Sequence, residues 1–403
     1  SSSPFGVGAA EEIVWIPADG GEATLIAPSQ SRSAPHFRTA EPDRIYLYQG
    51  GQTDALVSIR WDGTDPKEHL SVTGATPAGA DNPMDPEVIL MAPVGDQALA
   101  AINGQLYVVT VPLVGKTPRI SVSSPDRASF PAKRLTEPMG GEFPAWSADG
   151  RTVHWSLGNA HFVYDLDAAE AFADSVEAAE EAAAAEEAEA AAAGEGEGEV
   201  EAEAEDEGEG EGEEEEEASY EPAELRIEIA APRDMPEGTV ALVGGRVITM
   251  AGDEVLEEGV VVVRNHRIQA VGARGEVEIP AGAREVDVSG HTLVPGFVDT
   301  HAHMWPAWYV HRKDQWIYAA NLAYGVTTTR DPQTATTDVL TYADLVRAGE
   351  IPGPRVYSTG PGVFWQEGIA SLDEARDVLR RYSDYFDTKT IKMYVAGNRQ
   401  QRQ

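Results

Sequence analysis

Val294-Pro-Gly-Phe-Val-Asp-Thr-His-Ala-His303 decides how this chain is read. Val294 to Val298 has the pattern of a buried strand, and its carboxyl end runs directly into His301-Ala302-His303. Alternate residues of an extended segment point to one side, so the two imidazoles can converge on one metal ion. Imidazole nitrogen suits Zn, Fe, Ni or Cu, with Zn the usual choice for hydrolysis. Two surface histidines at this spacing would carry no function, so the surroundings have to decide.

Upstream, Thr239-Val-Ala-Leu-Val-Gly-Gly-Arg-Val-Ile-Thr-Met250 alternates like a strand, with Gly244-Gly245 as a hairpin or bulge. Gly259 to Val271 reads as two strands turning at Arg264-Asn-His266, and Glu285 to Val298 leads into the histidines. Leu225 to Ile229 alternates as a further strand. The whole string from Gly245-Arg-Val-Ile-Thr-Met250 to His303 resembles the amidohydrolase superfamily over about residues 239–403. The resemblance implies a small β-sandwich followed by a (β/α)8 barrel, with the two histidines at the end of barrel strand 1. It also implies a divalent metal, Zn by default, as one or two ions.

The continuation fits a barrel. Ile317 to Tyr324 has helical spacing, and Gly325-Val-Thr-Thr-Thr-Arg-Asp331 reads as strand 2. Ala335 to Gly349 reads as a helix closed by glycine. Pro354 to Gly360 reads as strand 3, with Gly360 to Trp365 as its loop, and Ser371 opens a helix through a capping box with Glu374. Thr390-Ile-Lys-Met-Tyr394 reads as strand 4. Active sites of such barrels gather at the carboxyl ends of the strands, which brings His301, His303, Arg330, Asp331, Gly360 to Trp365, Lys392 and Tyr394 to one mouth.

Lys392 lies in Ile-Lys-Met-Tyr, a segment expected to be buried, where a lone ammonium must be paired or chemically altered. The alternatives are a salt-bridged lysine and, as the resemblance to imidazolonepropionase-like prolidases implies, a carboxylated lysine bridging two metals. Trp305, Pro306, Trp308 and His311 follow the metal motif as a loop over the site, either touching substrate or packing. Arg330 and Asp331 either contact substrate or cap their strand, and Tyr394 is a further substrate candidate. Asp299 is placed to orient the motif backbone or a ligand imidazole. His36, His154, His161 and His266 are read as structural or exposed. The superfamily also needs two histidines from strands 5 and 6 and a catalytic aspartate from strand 8, which are expected beyond residue 403. The chain is therefore expected to be a fragment or one partner of a split pair, with little activity alone.

Residues 1–167 hold short β-rich runs punctuated by Gly, Pro and Asp, such as Arg44 to Tyr48, Ala55 to Arg60 and Gln105 to Thr110, which read as half-buried strands. Phe37, Met91 and Trp146 each open a similar pattern, 54 and 55 residues apart, with Asp43, Asp96 and Asp149 in the following turns. A period near 50 points to propeller blades. Phe143-Pro-Ala-Trp-Ser-Ala-Asp-Gly-Arg-Thr-Val153 resembles the blade motif of TolB-like β-propellers, with a β-sandwich as the alternative. About three units are legible, so a partial propeller is expected.

The 403 residues carry 30 Lys+Arg against 68 Asp+Glu, a formal net charge of −38, and no Cys. Without a basic surface there is no counterion release to drive nucleic-acid binding, and adhesion to anionic membranes is disfavoured. Disulfide and thiolate chemistry are excluded. No apolar run is long enough to span a bilayer. From Glu177 to Glu217 there are 21 acidic and no basic residues, leaving −17 for the rest. That tract reads as a solvated spacer, with a Ca²⁺ or basic-partner tail as the alternative. Its Ala/Glu-rich start can be helical, and its Gly/Glu-rich end is expected to be disordered.

The expected organisation is therefore multidomain: a partial propeller over 1–167, an acidic linker over 168–222, a β-sandwich over 223–296 and the first half of a (β/α)8 barrel over 297–403. The expected activity is metal-dependent hydrolysis of amide, cyclic amide or peptide C–N bonds in a small-molecule or peptide substrate. The alternatives are a deaminase on the same scaffold and a non-catalytic propeller module with a decayed barrel. A homo-oligomer or a complementing chain is the expected partner. A periplasmic or secreted location is the expectation that the TolB-like motif carries.

Overall fold

In the computed structural model the described residues are 11–51, 53–77, 80–112, 116–136, 140–193, 219–308, 310–334, 336–364, 369 and 371–394. The chain divides into two compact units, Ser1–Ile227 and Glu228–Gln403.

The first unit is a series of antiparallel sheets met in chain order. Strands β1 (Glu12–Trp15) and β2 (Thr24–Pro28) pair with each other. β3 (Arg32–His36), β4 (Arg44–Gln49), β5 (Ala55–Arg60) and β6 (Lys67–Thr73) form a meander. A second meander is built from β7 (Val88–Met91), β8 (Gln97–Ile102) and β9 (Gln105–Thr110). β10 (Arg119–Ser121) then adds in parallel to β6, and β11 (Ala132–Arg134) adds to β9. The last sheet holds β12 (Glu142–Trp146), β13 (Thr152–Leu157) and β14 (Ala160–Asp165). Helix α1 (Leu166–Ala193) follows, so the start of the acidic tract is helical, whereas residues 194–218 lie outside the described ones. The chain then returns as β15 (Ala223–Arg226), which pairs with β14. The run at 223 was expected to begin the next domain, but its backbone completes this sheet.

Packing explains why the strands of the first unit are more buried than alternation suggests. Every residue of β4 from Arg44 to Tyr48 is buried, and so is every residue of β5 from Ala55 to Ile59. Ile45, Leu47, Val57 and Ile59 face a cluster that includes Ala27. Tyr46, Tyr48 and Leu56 face another that includes Ile89, Met91 and Ala98. The middle sheet is thus covered on both faces, and its strands lose the half-buried pattern.

The repeated turns occupy equivalent places, joining β3 to β4, β7 to β8 and β12 to β13. The Trp146 indole Nε1–H donates to Leu90 O at 3.0 Å, linking the last sheet to the one before. In the Asp149-Gly150 turn, Asp149 Oδ1 accepts from the amides of Arg151 and Thr152 at 2.8 and 3.0 Å. Gly150 has φ +68°, and a Cβ there would lie 2.3 Å from Val94 O. Gly150→Ala is expected to destabilise the first unit by about 1–3 kcal/mol, since strain and clash coincide. Thermal unfolding of the full chain checks this, and an unchanged midpoint would refute the packing role.

Two half-buried imidazoles give the same unit an acid sensitivity. Burial pulls His69 down to about 4, and His36 is lowered for the same reason. The folded state therefore disfavours the charged rings, while the unfolded chain protonates near 6.5. This contribution to stability is complete above about pH 6.5 and is lost as pH falls toward about 4, because the unfolded chain binds more protons there. The unfolding midpoint is expected to fall between pH 6.5 and 5, with a shallower slope in a His36→Gln, His69→Gln variant. Equal slopes in both proteins would contradict it.

The second unit begins with a single five-stranded mixed sheet where a sandwich was expected. It holds β16 (Thr239–Ile248), β17 (Val255–Arg264), β18 (Arg267–Ala273), β19 (Arg284–Asp287) and β20 (Thr292–Leu293). Gly244 (φ +83°) and Gly245 form a bulge within β16, and Gly245 pairs with Gly259. Ala241, Val260 and Val262 make the small core.

Next come β21 (Phe297–Asp299), α2 (Trp316–Ala323), β22 (Val326–Asp331), α3 (Asp338–Ala348) and β23 (Arg355–Ser358). The three strands are parallel and adjacent in chain order, which is the β/α repeat. β24 (Val363–Phe364) follows, then α4 (Leu372–Arg380) and β25 (Met393–Tyr394), which pairs with β24. α4 starts with both reciprocal bonds of the Ser371–Glu374 capping box, and α3 ends at Gly349 in the left-handed region. Met304, Tyr318, Val339, Tyr342, Ile351 and Val356 form the core under the sheet. β21 corrects the expectation of a buried strand: Phe297 is 59% exposed and Val298 61%. Among the described residues it is an edge strand, paired only with β22. No helix among the described residues is long and apolar enough to cross a membrane.

Candidate functional site

Parallel strands in chain order put the carboxyl ends of β21, β22 and β23 on one edge. The ladder continues past the formal strand ends. Ala302 N donates to Arg330 O at 2.9 Å, Thr359 N to Asp331 O at 3.0 Å and Thr334 N to Gly360 O at 3.1 Å. Backbone pairing therefore sets the His301–His303 segment beside Arg330 and Asp331, with Thr359 on the far side of Asp331.

The two imidazole rings lie 5.3 Å apart, nearly perpendicular at 79°. His301 is exposed, and its amide donates to Asp299 Oδ1 at 2.9 Å. His303 is half-buried, and its Nδ1 is 2.8 Å from Gln333 O. A carbonyl can only accept, so Nδ1 carries the proton and Nε2 keeps a free lone pair. This is the tautomer a metal-ligating histidine needs.

Asp331 is fully buried behind this ring. Its carboxylate accepts from Met304 N at 3.0 Å and Gln333 N at 3.3 Å, and its Oδ1 lies 3.6 Å from His303 Nδ1. Burial raises the Asp331 carboxyl above the ordinary carboxylate range, against the opposing pull of these amides and His303. The same burial pushes the Tyr318 hydroxyl up. By residue order Asp331 is either a substrate contact or a strand cap; in the structure its carboxylate anchors both loops flanking His303. The Gln333 carbonyl escaped sequence reading, since a backbone acceptor leaves no residue-type signal.

The other candidates are placed differently. Arg330 extends to Thr390, with Nη2 donating to Oγ1 at 2.8 Å. Lys392 is half-buried where a buried position was expected, and its carbonyl accepts from Val363 N at 2.8 Å. β25 starts one residue after it, so Lys392 sits at the strand's entrance. Tyr394 is paired through its backbone with Phe364. Trp305 is exposed beside His303, whereas Trp365 lies outside the described residues.

Among the described residues no group of three or more His, Asp or Glu is arranged to hold a metal ion. The pair itself fits half of a tetrahedral zinc shell: two imidazole nitrogen donors, one oriented by a carbonyl.

Comparisons with known proteins give partial matches, each over less than half of the chain. Over 61 residues the chain is 46% identical to a 5-methylthioadenosine/S-adenosylhomocysteine deaminase of Symbiobacterium thermophilum. That match spans 15% of this chain and 14% of the deaminase. No protein-family profile matches the chain. Among solved structures, a Xaa-Pro dipeptidase is 19% identical with a TM-score of 0.32, covering 39% of this chain and 47% of that one. Molinate hydrolase is 22% identical at 0.28, covering 37% and 38%. The ochratoxinase of A. niger is 18% identical at 0.31, covering 39% and 47%. Scores this low do not establish a shared fold.

Proposed function

We propose that the second unit belongs to a metal-dependent hydrolase of the amidohydrolase type, acting on the C–N bond of a small molecule or peptide. The observation that carries this reading is the His301–His303 pair at the carboxyl end of the first of three parallel strands, with His303 Nε2 left free by the Gln333 carbonyl. His301 and His303 would hold a divalent ion, Zn by default, and Lys392, carboxylated, would be the candidate for bridging a second. When bound, such an ion would supply Lewis acidity toward a carbonyl oxygen or an amidine nitrogen, and an activated water. The chain's own residues do the positioning. Asp299 fixes the His301 backbone, and Asp331 ties Met304 to Gln333 so that the Gln333 carbonyl meets His303. In this reading the open edge of β21, with the exposed Phe297 and Val298, is covered in a complete (β/α)8 barrel by further strands of the same protein or by a partner chain.

A second reading, a deaminase, is favoured by the 61-residue match to an adenosine-type deaminase. Deamination is also C–N hydrolysis, with ammonia as the leaving group. The two differ at Lys392: a bridged pair of ions needs its carboxylated side chain, whereas a mononuclear deaminase does not. We assign the first unit to part of a β-propeller, since its meanders repeat with the turns in register, and place the protein in the periplasm or outside the cell.

Zinc titration by calorimetry on the full chain, with and without bicarbonate, tests the site. Saturable binding is expected. With a Lys392 bridge, the intact mass gains one carboxyl group in bicarbonate, and Lys392→Ala lowers the stoichiometry. With mononuclear chemistry neither changes. A chain that binds no zinc at all would overturn both readings.

A further inference from the structure

The segment that follows the histidines is held in a conformation its sequence does not favour. Trp305 has φ +40°, in the left-handed region that a bulky aromatic residue rarely enters. Its neighbours Met304 and Pro306 are both buried, so the chain turns Trp305 outward, where it is 39% exposed. Such strain persists only where the surroundings over-determine it. Here they do. His311 Nε2 meets Asp338 Oδ1 at 2.7 Å, at the start of α3. Tyr342 Oη, on the same helix, accepts from Arg312 N at 2.9 Å and Gln315 Nε2 at 3.1 Å. Gln315 Oε1 in turn accepts from Ala307 N at 3.2 Å. Three contacts thus clasp the loop onto α3, and the fourth ties Ala307 to Gln315 within the loop.

The outcome is a row of rings leading away from the metal pair. The Trp305 ring centre is 5.8 Å from His303 and 6.1 Å from Trp308, with interplanar angles of 38° and 48°. Leaving a large indole 39% exposed forgoes apolar burial, and here the positive φ also costs backbone strain. Both costs fall at the edge where the histidines stand.

We propose that Trp305 and Trp308 form an aromatic platform beside His303 that takes the flat face of an aromatic or heteroaromatic group on the substrate. The His311–Asp338–Tyr342 clasp holds the platform in place. Placing the scissile C–N bond next to this group rests on the hydrolase reading, but the platform's binding does not require a metal. Stacking on the Trp305 indole with a tilted, edge-on contact to Trp308 favours an aromatic ligand over a saturated one of similar size.

The test uses the full chain in EDTA, with indole fluorescence and calorimetry as readouts. The probes are benzamide and cyclohexanecarboxamide. Benzamide is expected to bind about three- to ten-fold more tightly than the saturated amide. Trp305→Gly accepts φ +40° without strain, so it keeps the fold, and it should erase the preference. Trp305→Phe should restore most of it. His311→Ala should weaken the preference while circular dichroism stays native. Equal affinity for the two amides, no saturable binding of either, or a preference that survives Trp305→Gly would each overturn the platform. Because no metal is present, these outcomes are separate from the zinc titration, whose failure would remove the hydrolase reading and leave the platform standing.

Discussion

Replacing His301 and His303 together by alanine is expected to weaken divalent-metal binding by about 100-fold or more, because both neutral nitrogen donors are lost. The single variants should be unequal. His303 is half-buried and its Nδ1 is engaged by Gln333 O, so its ligand nitrogen is aimed before any ion arrives. His301 is exposed, and only its backbone amide is tied, to Asp299. An exposed ring loses rotamer freedom on binding that His303 has already lost in folding. His303→Ala should therefore be the more damaging single change. Asp331→Ala removes no ligand, yet it takes the acceptor from the amides of buried Met304 and half-buried Gln333 and releases the carbonyl that orients His303. A fall of about 10- to 100-fold is expected there. Competition titration against a zinc chelator checks all four variants. Wild-type affinity in the double variant would show that the pair is not a metal site.

Trp155→Ala should destabilise the first unit by about 3–5 kcal/mol, the cost of emptying a large aromatic site in a core. Trp155 is 3% exposed and stacks on Phe162 at 5.5 Å, with Tyr164 tilted against it at 6.4 Å. The space is closed on the remaining side as well: a Cβ on Gly141 would come within 2.5 Å of the indole. Such a site cannot collapse around alanine without moving backbone. Denaturant unfolding of the full chain should show the first-unit transition moving while that of the second unit stays, since the two are separate compact units. A shift below about 1 kcal/mol would mean that the sheet repacks, in the manner of a loosely packed core.

Strands and turns were readable from residue order because their causes are local. Arg44 to Gln49, Ala55 to Arg60 and Gln105 to Thr110 form where β-branched and aromatic residues run between Gly, Pro and Asp. The Ser371–Glu374 box and the Gly349 cap act within one helical turn. Burial was less legible. Trp146 carries the repeat motif, yet it is Trp155, outside the motif, that fills the core, while Trp146 lends its indole N–H to Leu90. Alternation describes a strand with one wet face, and β4 has none.

The candidate site divides along the same line. His301-Ala302-His303 after a strand is visible in ten consecutive residues, because the period of an extended chain alone brings two imidazoles to one side. That Asp331 stands behind His303, that Arg330 reaches Thr390 instead of the imidazoles, and that Ala223–Arg226 joins β14 all depend on pairing between residues 27 to 67 positions apart. So does the clasp that holds Trp305 at a positive φ, which spans 27 and 30 positions. Residue order sets the local conformations and the chemical groups available; long-range backbone pairing and burial choose which of those groups meet, since only the folded chain brings distant segments close enough to compete for the same hydrogen bonds.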